Sequence, residues 1–317
     1  MAVLEMPAAS MPPDRSGGLA QRLVVAWQHP IKRSISPVGF LTFDGGTYRF
    51  TYVRNALQVP DFRPLLGFDD LHRSYQSVDL FPLFAQRAMD PRRPDYQRYI
   101  EHLGLEGEPG PWEQIARSQG RRQGDTLQLL PEPTLAGNAL TGLFLVHGMR
   151  YAHAEPRHLD GRTISVTRDQ VEASLAELRP GDELGIAREP GNPVNPLALM
   201  VLGSSVPIGW VPDLLVEDLQ VLLDRAAVSV TVEHVNGIDA PWHLRLLARL
   251  HAVPANGFHF FTGERWAPLA DDPALSVREH VRVTAKLKPD TSRQEGAAVV
   301  IQAVHVPVLQ IGPQHVK

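Results

Sequence analysis

The chain has 317 residues, 43% hydrophobic and 21% charged, an ordinary globular composition with room for two domains. With no cysteine it can form neither disulfides nor thiolate zinc sites, which fits a reducing, cytoplasmic setting, and no apolar run approaches the roughly 20 residues that cross a bilayer. A net charge of −4 excludes nucleic-acid binding by bulk electrostatics alone.

Residues 1–18, rich in Pro, Ala, Ser and Gly, read as a disordered leader. A first α+β domain is expected over 19–135. LVVAW (23–27), VGFLTF (38–43) and TYRFTYV (47–53) carry the β-branched and aromatic bias of strands, and Asp44-Gly45-Gly46 is a hairpin turn. Tyr48, Phe50 and Tyr52 share one face of their strand. That face suits base stacking, but packing into a small sheet is the favoured reading.

Three helical patterns follow, at 78–89, 94–105 and 111–120, with prolines near their starts. Arg87, Arg92, Arg93, Arg98, Arg117, Arg121 and Arg122 cluster there, either as a phosphate-facing patch or, preferably, as a solvated rim paired with neighbouring acids. DTLQLLPEP (125–133) returns as a strand to the first sheet, and 132–138 reads as a linker.

A second domain, 136–255, is expected to be β-rich. Residues 140–152 form a long strand in which Gly148 marks a bulge or close approach. Thr167 caps a helix over 168–178. Strands follow at 183–190, 197–202, 206–211, 228–235 and 242–253, with a rigid Asn-Pro loop at 191–196 and a leucine-striped helix at 213–225. Residues 256–317 read as a β extension with exposed aromatics (FHFF, RWAPL) and two strands at 280–287 and 297–311. By charge the domains differ: 14 basic and 13 acidic side chains in 19–135, a net of +1, against 9 and 14 in 136–255, a net of −5.

Four pieces stand together in the second domain: LVHGMRY (145–151), GDELGIAREPGNPVNPLAL (181–199), IGWVPDLL (208–215) and the helix after them. On these, residues 141–252 resemble a HIRAN domain of the bacterial stand-alone type. The resemblance implies an OB/SH3-like β-barrel with two helices, and a pocket that grips single-stranded DNA, in some members by its 3′ end. Carried over by position, Arg150 and Tyr151 match an Arg-aromatic pair on the first strand. Arg188 matches a basic residue ending the second strand, Asn192 opens the loop, and Trp210 takes the place of a tyrosine or histidine. Two positions depart: Val194 stands where the DNA-end binders have an aromatic, and Asn195 where they have an aspartate. The first domain faintly resembles the N-terminal barrel of HipA-type toxin kinases, without a specific motif.

No HExxH, GxSxG or glycine-rich phosphate loop is present. On a continuous strand His147 and His153 would lie about 20 Å apart, too far to share an ion. The sequence thus leads to a non-catalytic protein with no cofactor and no membrane association. Its partner is expected to be single-stranded DNA or DNA ends, held weakly and salt-sensitively, in a repair, defence or toxin–antitoxin setting. A protein-interaction adaptor with no DNA role is the alternative.

Overall fold

Strand β1 (Arg22–Gln28) is apolar on both faces, and the reason is topological. It pairs antiparallel with β2 (Ile35–Phe43), which continues through the Asp44 turn into β3 (Tyr48–Tyr52). The Asp44 carboxylate accepts from the Gly46 and Thr47 amides at 3.0 and 2.8 Å, which fixes that turn. The computed structural model describes residues 21–270 apart from Gln123 and Asn256. The expected leader and the strands expected at 280–287 and 297–311 lie outside the described residues.

The chain then adds β4 (Tyr75–Ser77), α1 (Pro82–Ala85), α2 (Tyr96–His102), α3 (Pro111–Ser118) and β5 (Leu127–Pro131). The first sheet runs β4-β3-β2-β1-β5. Leu23 and Val25 of β1 face one core with Phe50, Tyr52, Phe84, Trp112 and Ile115. Val24 and Ala26 face a second core, which holds the leucines of the other half of the molecule. Tyr48, Phe50 and Tyr52 are therefore packing residues, and the Tyr52 hydroxyl donates to the Phe68 carbonyl at 2.9 Å. The helix expected over 78–89 is only the single turn α1, because Pro82 can occupy a first helical turn but not an interior position.

The expected linker is itself paired: β6 (Thr134–Ala136) makes a hairpin with β7 (Ala139–Leu145). Next come the two-stranded β8 (Arg157–Leu159) and β9 (Arg162–Ile164), which the sequence pattern did not disclose, and α4 (Arg168–Glu177). Thr167 and Gln170 form a reciprocal capping box at the start of α4. The remaining elements are β10 (Glu183–Arg188), β11 (Leu199–Gly203), β12 (Val206–Trp210), α5 (Asp213–Leu223), β13 (Val228–Val235) and β14 (Leu246–Ala252). The second sheet runs β12-β11-β10-β13-β14-β7-β6.

The fold is mixed α+β and sheet-rich, with few helices. It departs from the expected barrel in one respect: among the described residues no ladder of hydrogen bonds closes the second sheet, whose order begins at β12 and ends at β6. A single bridge between His147 and Trp210 pins the stretch after β7 to β12. Val171 and Leu175 of α4 and Leu215, Leu219 and Leu222 of α5 fill the core with Val201, Ile208, Val230 and Leu250. Each such aliphatic side chain contributes about 1.5–3 kcal/mol by leaving water.

The aromatics expected to be exposed are buried: Phe260, Phe261 and Trp266 close the second core, with Trp266 stacked on Phe40. This segment returns to the first sheet, where Arg54 donates its amide to the Ala267 carbonyl at 2.8 Å and Leu269 to that of Tyr52 at 2.9 Å.

Most of the arginine cluster is paired. Arg87 is buried against Asp125, Arg92 meets Asp90, and Arg93 meets Asp95. Arg98 and Arg117 reach instead across to Asp239 and Glu233, at 2.7 and 3.1 Å. These two ion pairs tie α3 to β13 and α2 to the loop that follows β13.

Candidate functional site

The His147–Trp210 bridge creates the site. The two residues exchange amide-to-carbonyl hydrogen bonds of 2.8 and 2.9 Å. Gly148 then turns left-handed (φ 66°), and a Cβ there would lie 2.6 Å from Trp210 Cε3. Only glycine supplies both that backbone and the room for the indole. Gly209 is equally constrained, since a Cβ would come within 2.7 Å of the His147 carbonyl oxygen.

The expected strand over 140–152 therefore stops early. β7 ends at Leu145, and Arg150 and Tyr151 lie on a 3-10 turn, Met149–Tyr151, rather than on a strand. His153 falls after that turn, so the strand-based spacing from His147 does not apply. Among the described residues no group of three or more His, Cys, Asp or Glu is placed to hold a metal.

A cleft of about 330 Å³ opens beside the bridge, lined by Tyr151 and Trp210, by Arg157, and by Asn192, Pro193, Val194 and Asn195 of the Asn-Pro loop. His147 and Asp213 complete its polar lining. Most of its surface is apolar. Four of the six expected residues, Tyr151, Asn192, Asn195 and Trp210, are thus gathered in one cleft. Arg150 lies next to it, its guanidinium 4.6 Å from the centre of the Tyr151 ring.

Arg188 does not join them. Its side chain donates to Gln220 at 2.6 Å and to Asp224 at 2.5 Å, which commits it to α5. The ending of β10 places the next residue, Glu189, toward the cleft instead.

Glu189 is the organiser that sequence reasoning missed. It is 4% exposed, and one carboxylate oxygen accepts from both Trp210 Nε1 and Asn192 Nδ2 at 2.7 Å. The other lies 3.5 Å from Arg157, itself 8% exposed. Arg157 sets its guanidinium 4.8 Å from the centre of the Trp210 ring and donates to the Tyr151 carbonyl at 2.7 Å. The buried charge pair is thereby hydrogen-bonded on several sides, as it must be to persist out of water.

The asparagines are turn devices. Asn192 Oδ1 accepts from the Val194 and Asn195 amides, and Asn195 Oδ1 accepts from the Leu197 amide at 2.9 Å. Asn195 Nδ2 donates to Asp213 at 3.1 Å, so a carboxylate stands beside the position where the resemblance expects one. Val194 projects into solvent, 82% exposed. His147 donates from Nε2 to Gln119 Oε1 at 2.9 Å. Burial, helped by Arg121 and His243, pushes its pKa down to about 3, so the ring is neutral at pH 7.

The Arg-Glu-Pro ending of β10 was the available signal for Glu189. Arg157, alone in a loop-like stretch, and Asp213, a routine first-turn acid of a helix, had none.

No family model and no curated protein matches this chain. Among solved structures it is similar to the crystal structure of the HIRAN domain of human HLTF, at 18% identity, over 36% of this chain and 73% of that one, with a TM-score of 0.23.

Proposed function

We propose that the cleft binds single-stranded nucleic acid, in the first instance DNA, and that the protein is non-catalytic. The observation that carries this reading is an exposed ring and guanidinium, Tyr151 under Arg150, at one open apolar cleft walled by the Trp210 ring, which Arg157 and Glu189 hold in place. Rings offer sequence-tolerant stacking worth about 1–3 kcal/mol per base, and guanidinium groups offer phosphate contacts. Tyr151 is 53% exposed and available to a base. Asp213 supplies an acceptor for the hydroxyl of a strand end, next to Asn195. The acidity of residues 136–255 keeps the affinity modest and salt-sensitive. Repair, phage defence or a toxin–antitoxin system is the setting such binding would serve.

The test is a titration of labelled single-stranded and duplex oligonucleotides at low salt, with wild type and with Tyr151→Ala and Trp210→Ala. Saturable binding of the single strand, weakened in both variants, is the expected result. Absence of binding by the wild type ends the proposal.

A second reading, a protein-interaction adaptor, is favoured by exposed Val194 and Leu197 in and beside the Asn-Pro loop and by the net acidity of residues 136–255. Recovery of a partner from nuclease-treated lysate, lost on Val194→Asp, would select it.

A further inference from the structure

Twelve of the described arginines are matched to a carboxylate; Arg33, Arg121 and Arg150 are among those that are not. Among the described residues none of the three has an ion pair or a side-chain hydrogen bond, and they belong to one neighbourhood. Arg33 sits in the exposed turn between β1 and β2, next to Lys32. Arg121 follows Gln119 and Gly120 after α3, and Gln119 is the hydrogen-bond partner of His147, which lines the cleft. Arg150 adjoins Tyr151, and its turn packs on the 3-10 turn Trp242–Leu244, which carries His243.

One end of the first sheet brings the Arg33 turn beside the loop that follows Arg121: Gln28 donates its backbone amide to the Thr126 carbonyl at 2.6 Å and its side-chain amide to the Arg33 carbonyl at 3.0 Å. Burial, then Arg33 and Arg150, push the Arg121 guanidinium below its ordinary pKa. Arg121 in turn adds to the burial that depresses His147 and His243. A half-buried guanidinium without a counter-ion has lost part of its hydration with no return. A second observation points the same way: Gln119 is 2% exposed, and its Nε2 has no hydrogen-bond partner. The neighbourhood therefore holds three unmatched cations and an unmatched donor, beside a cleft fit for bases.

We propose that Arg33, Arg121 and Arg150 form a phosphate track for the strand whose last bases occupy the cleft, so that the first sheet takes part in nucleic-acid binding. The proposal rests on the reading of the cleft given above. Arg150 belongs to both features; Arg33 and Arg121 come from the other half of the chain and touch no part of the cleft lining directly. Guanidinium groups suit phosphate because their paired N–H donors match its oxygens. A strand leaving the cleft beside Tyr151 meets Arg150 first.

The test compares a labelled ten-residue oligothymidylate across a salt series, using wild type, the pair Arg33→Gln with Arg121→Gln, and the pair Arg92→Gln with Arg93→Gln. The last pair removes equal charge from arginines already matched to Asp90 and Asp95. Each lost phosphate contact lowers the slope of log affinity against log salt by about 0.7 for a single strand. The first pair is expected to bind severalfold more weakly, with a slope smaller by about 1.4, and the second pair to match wild type. Arg33→Gln alone, in an exposed turn, gives about half that change and serves if the double variant unfolds.

Wild-type binding with an unchanged slope in both Arg33 variants overturns the track and leaves the cleft standing. Absence of wild-type binding removes both. Displacement of the oligonucleotide by an equal-length poly-aspartate peptide at equal concentration overturns the track in favour of an acidic protein segment.

Discussion

Two groups of residues around the cleft are built on opposite principles. Trp210, Glu189, Arg157 and Asn192 satisfy one another, and each polar contact among them is internal. Tyr151, Arg150 and Val194 are exposed, with one cation–ring contact between them and no internal ion pair among the described residues. The first group holds a shape and the second presents a surface. Arginine shows the contrast most clearly: Arg157 is buried and matched, Arg150 is exposed and unmatched, yet both lie over an aromatic ring. Position alone does not say which residue binds; the hydrogen-bond account around it does.

The largest test of that division is Glu189→Ala. It leaves a buried guanidinium, an indole N–H and an amide without their acceptor. A loss of about 3–5 kcal/mol of stability is expected, read from urea unfolding. A loss under 1 kcal/mol would erase the distinction between the groups.

Gly148→Ala comes next. It forces a left-handed backbone on alanine and a Cβ into the Trp210 ring, and about 2–4 kcal/mol should be lost. A smaller loss from Gly148→Ala in a Trp210→Leu background than in wild type would show that the ring is part of the obstacle, the left-handed backbone being the remainder.

Acid should strain the holding group through His147. Its folded pKa of about 3 lies below the ordinary 6.5, so its contribution to stability is complete above pH 6.5. That contribution is lost as pH falls from 6.5 toward 3, because the unfolded chain takes up a proton that the folded chain refuses. Between pH 7 and pH 5 wild type should lose about 2 kcal/mol relative to His147→Gln. Parallel stability curves for the two proteins over that window would contradict a buried neutral imidazole.

The smallest effect on stability belongs to Tyr151→Ala, expected within about 0.5 kcal/mol of wild type. The same change should weaken oligonucleotide binding by about 1–3 kcal/mol. A large loss of stability with unchanged binding would move Tyr151 into the holding group.

Much of this organisation was legible in the sequence, and the failures have physical causes. Alternation and turn residues located β1, β2, β3 and β13 closely, because their apolar faces meet continuous cores. Thr167 announced α4 through its capping chemistry. The strand over 140–152 was overextended because its apolar bias continues past Leu145, while the break is imposed from outside by Trp210 pressing on Gly148. FHFF and RWAPL looked exposed because a short aromatic run has no period, and only the groove between the two sheets determines that Phe260 and Trp266 fill it.

At the site, Tyr151 and Trp210 line the cleft, as expected of them, while Arg188 turns away from it. An arginine at a strand end can turn toward the cleft or toward the neighbouring helix, and Gln220 and Asp224 decide it from more than thirty residues away. Arg157 and Glu189 are a pair made by the fold: the Arg-Glu-Pro ending of β10 pointed at Glu189, but no local pattern marked Arg157 as its partner.

The return of residues 258–270 to the first sheet bears on how the chain acquires its structure. Arg54 and Glu264, joined by an ion pair, are separated by 210 positions, and the Tyr52 carbonyl awaits the amide of Leu269. During synthesis the first sheet leaves the ribosome long before these partners exist, with Phe40 still lacking the Trp266 ring that covers it. Contacts of such long sequence separation are entropically late events and slow the final step of folding. Nascent chains stopped short of Trp266 should therefore remain protease-sensitive along β2, and protection should arrive abruptly once the 260s emerge.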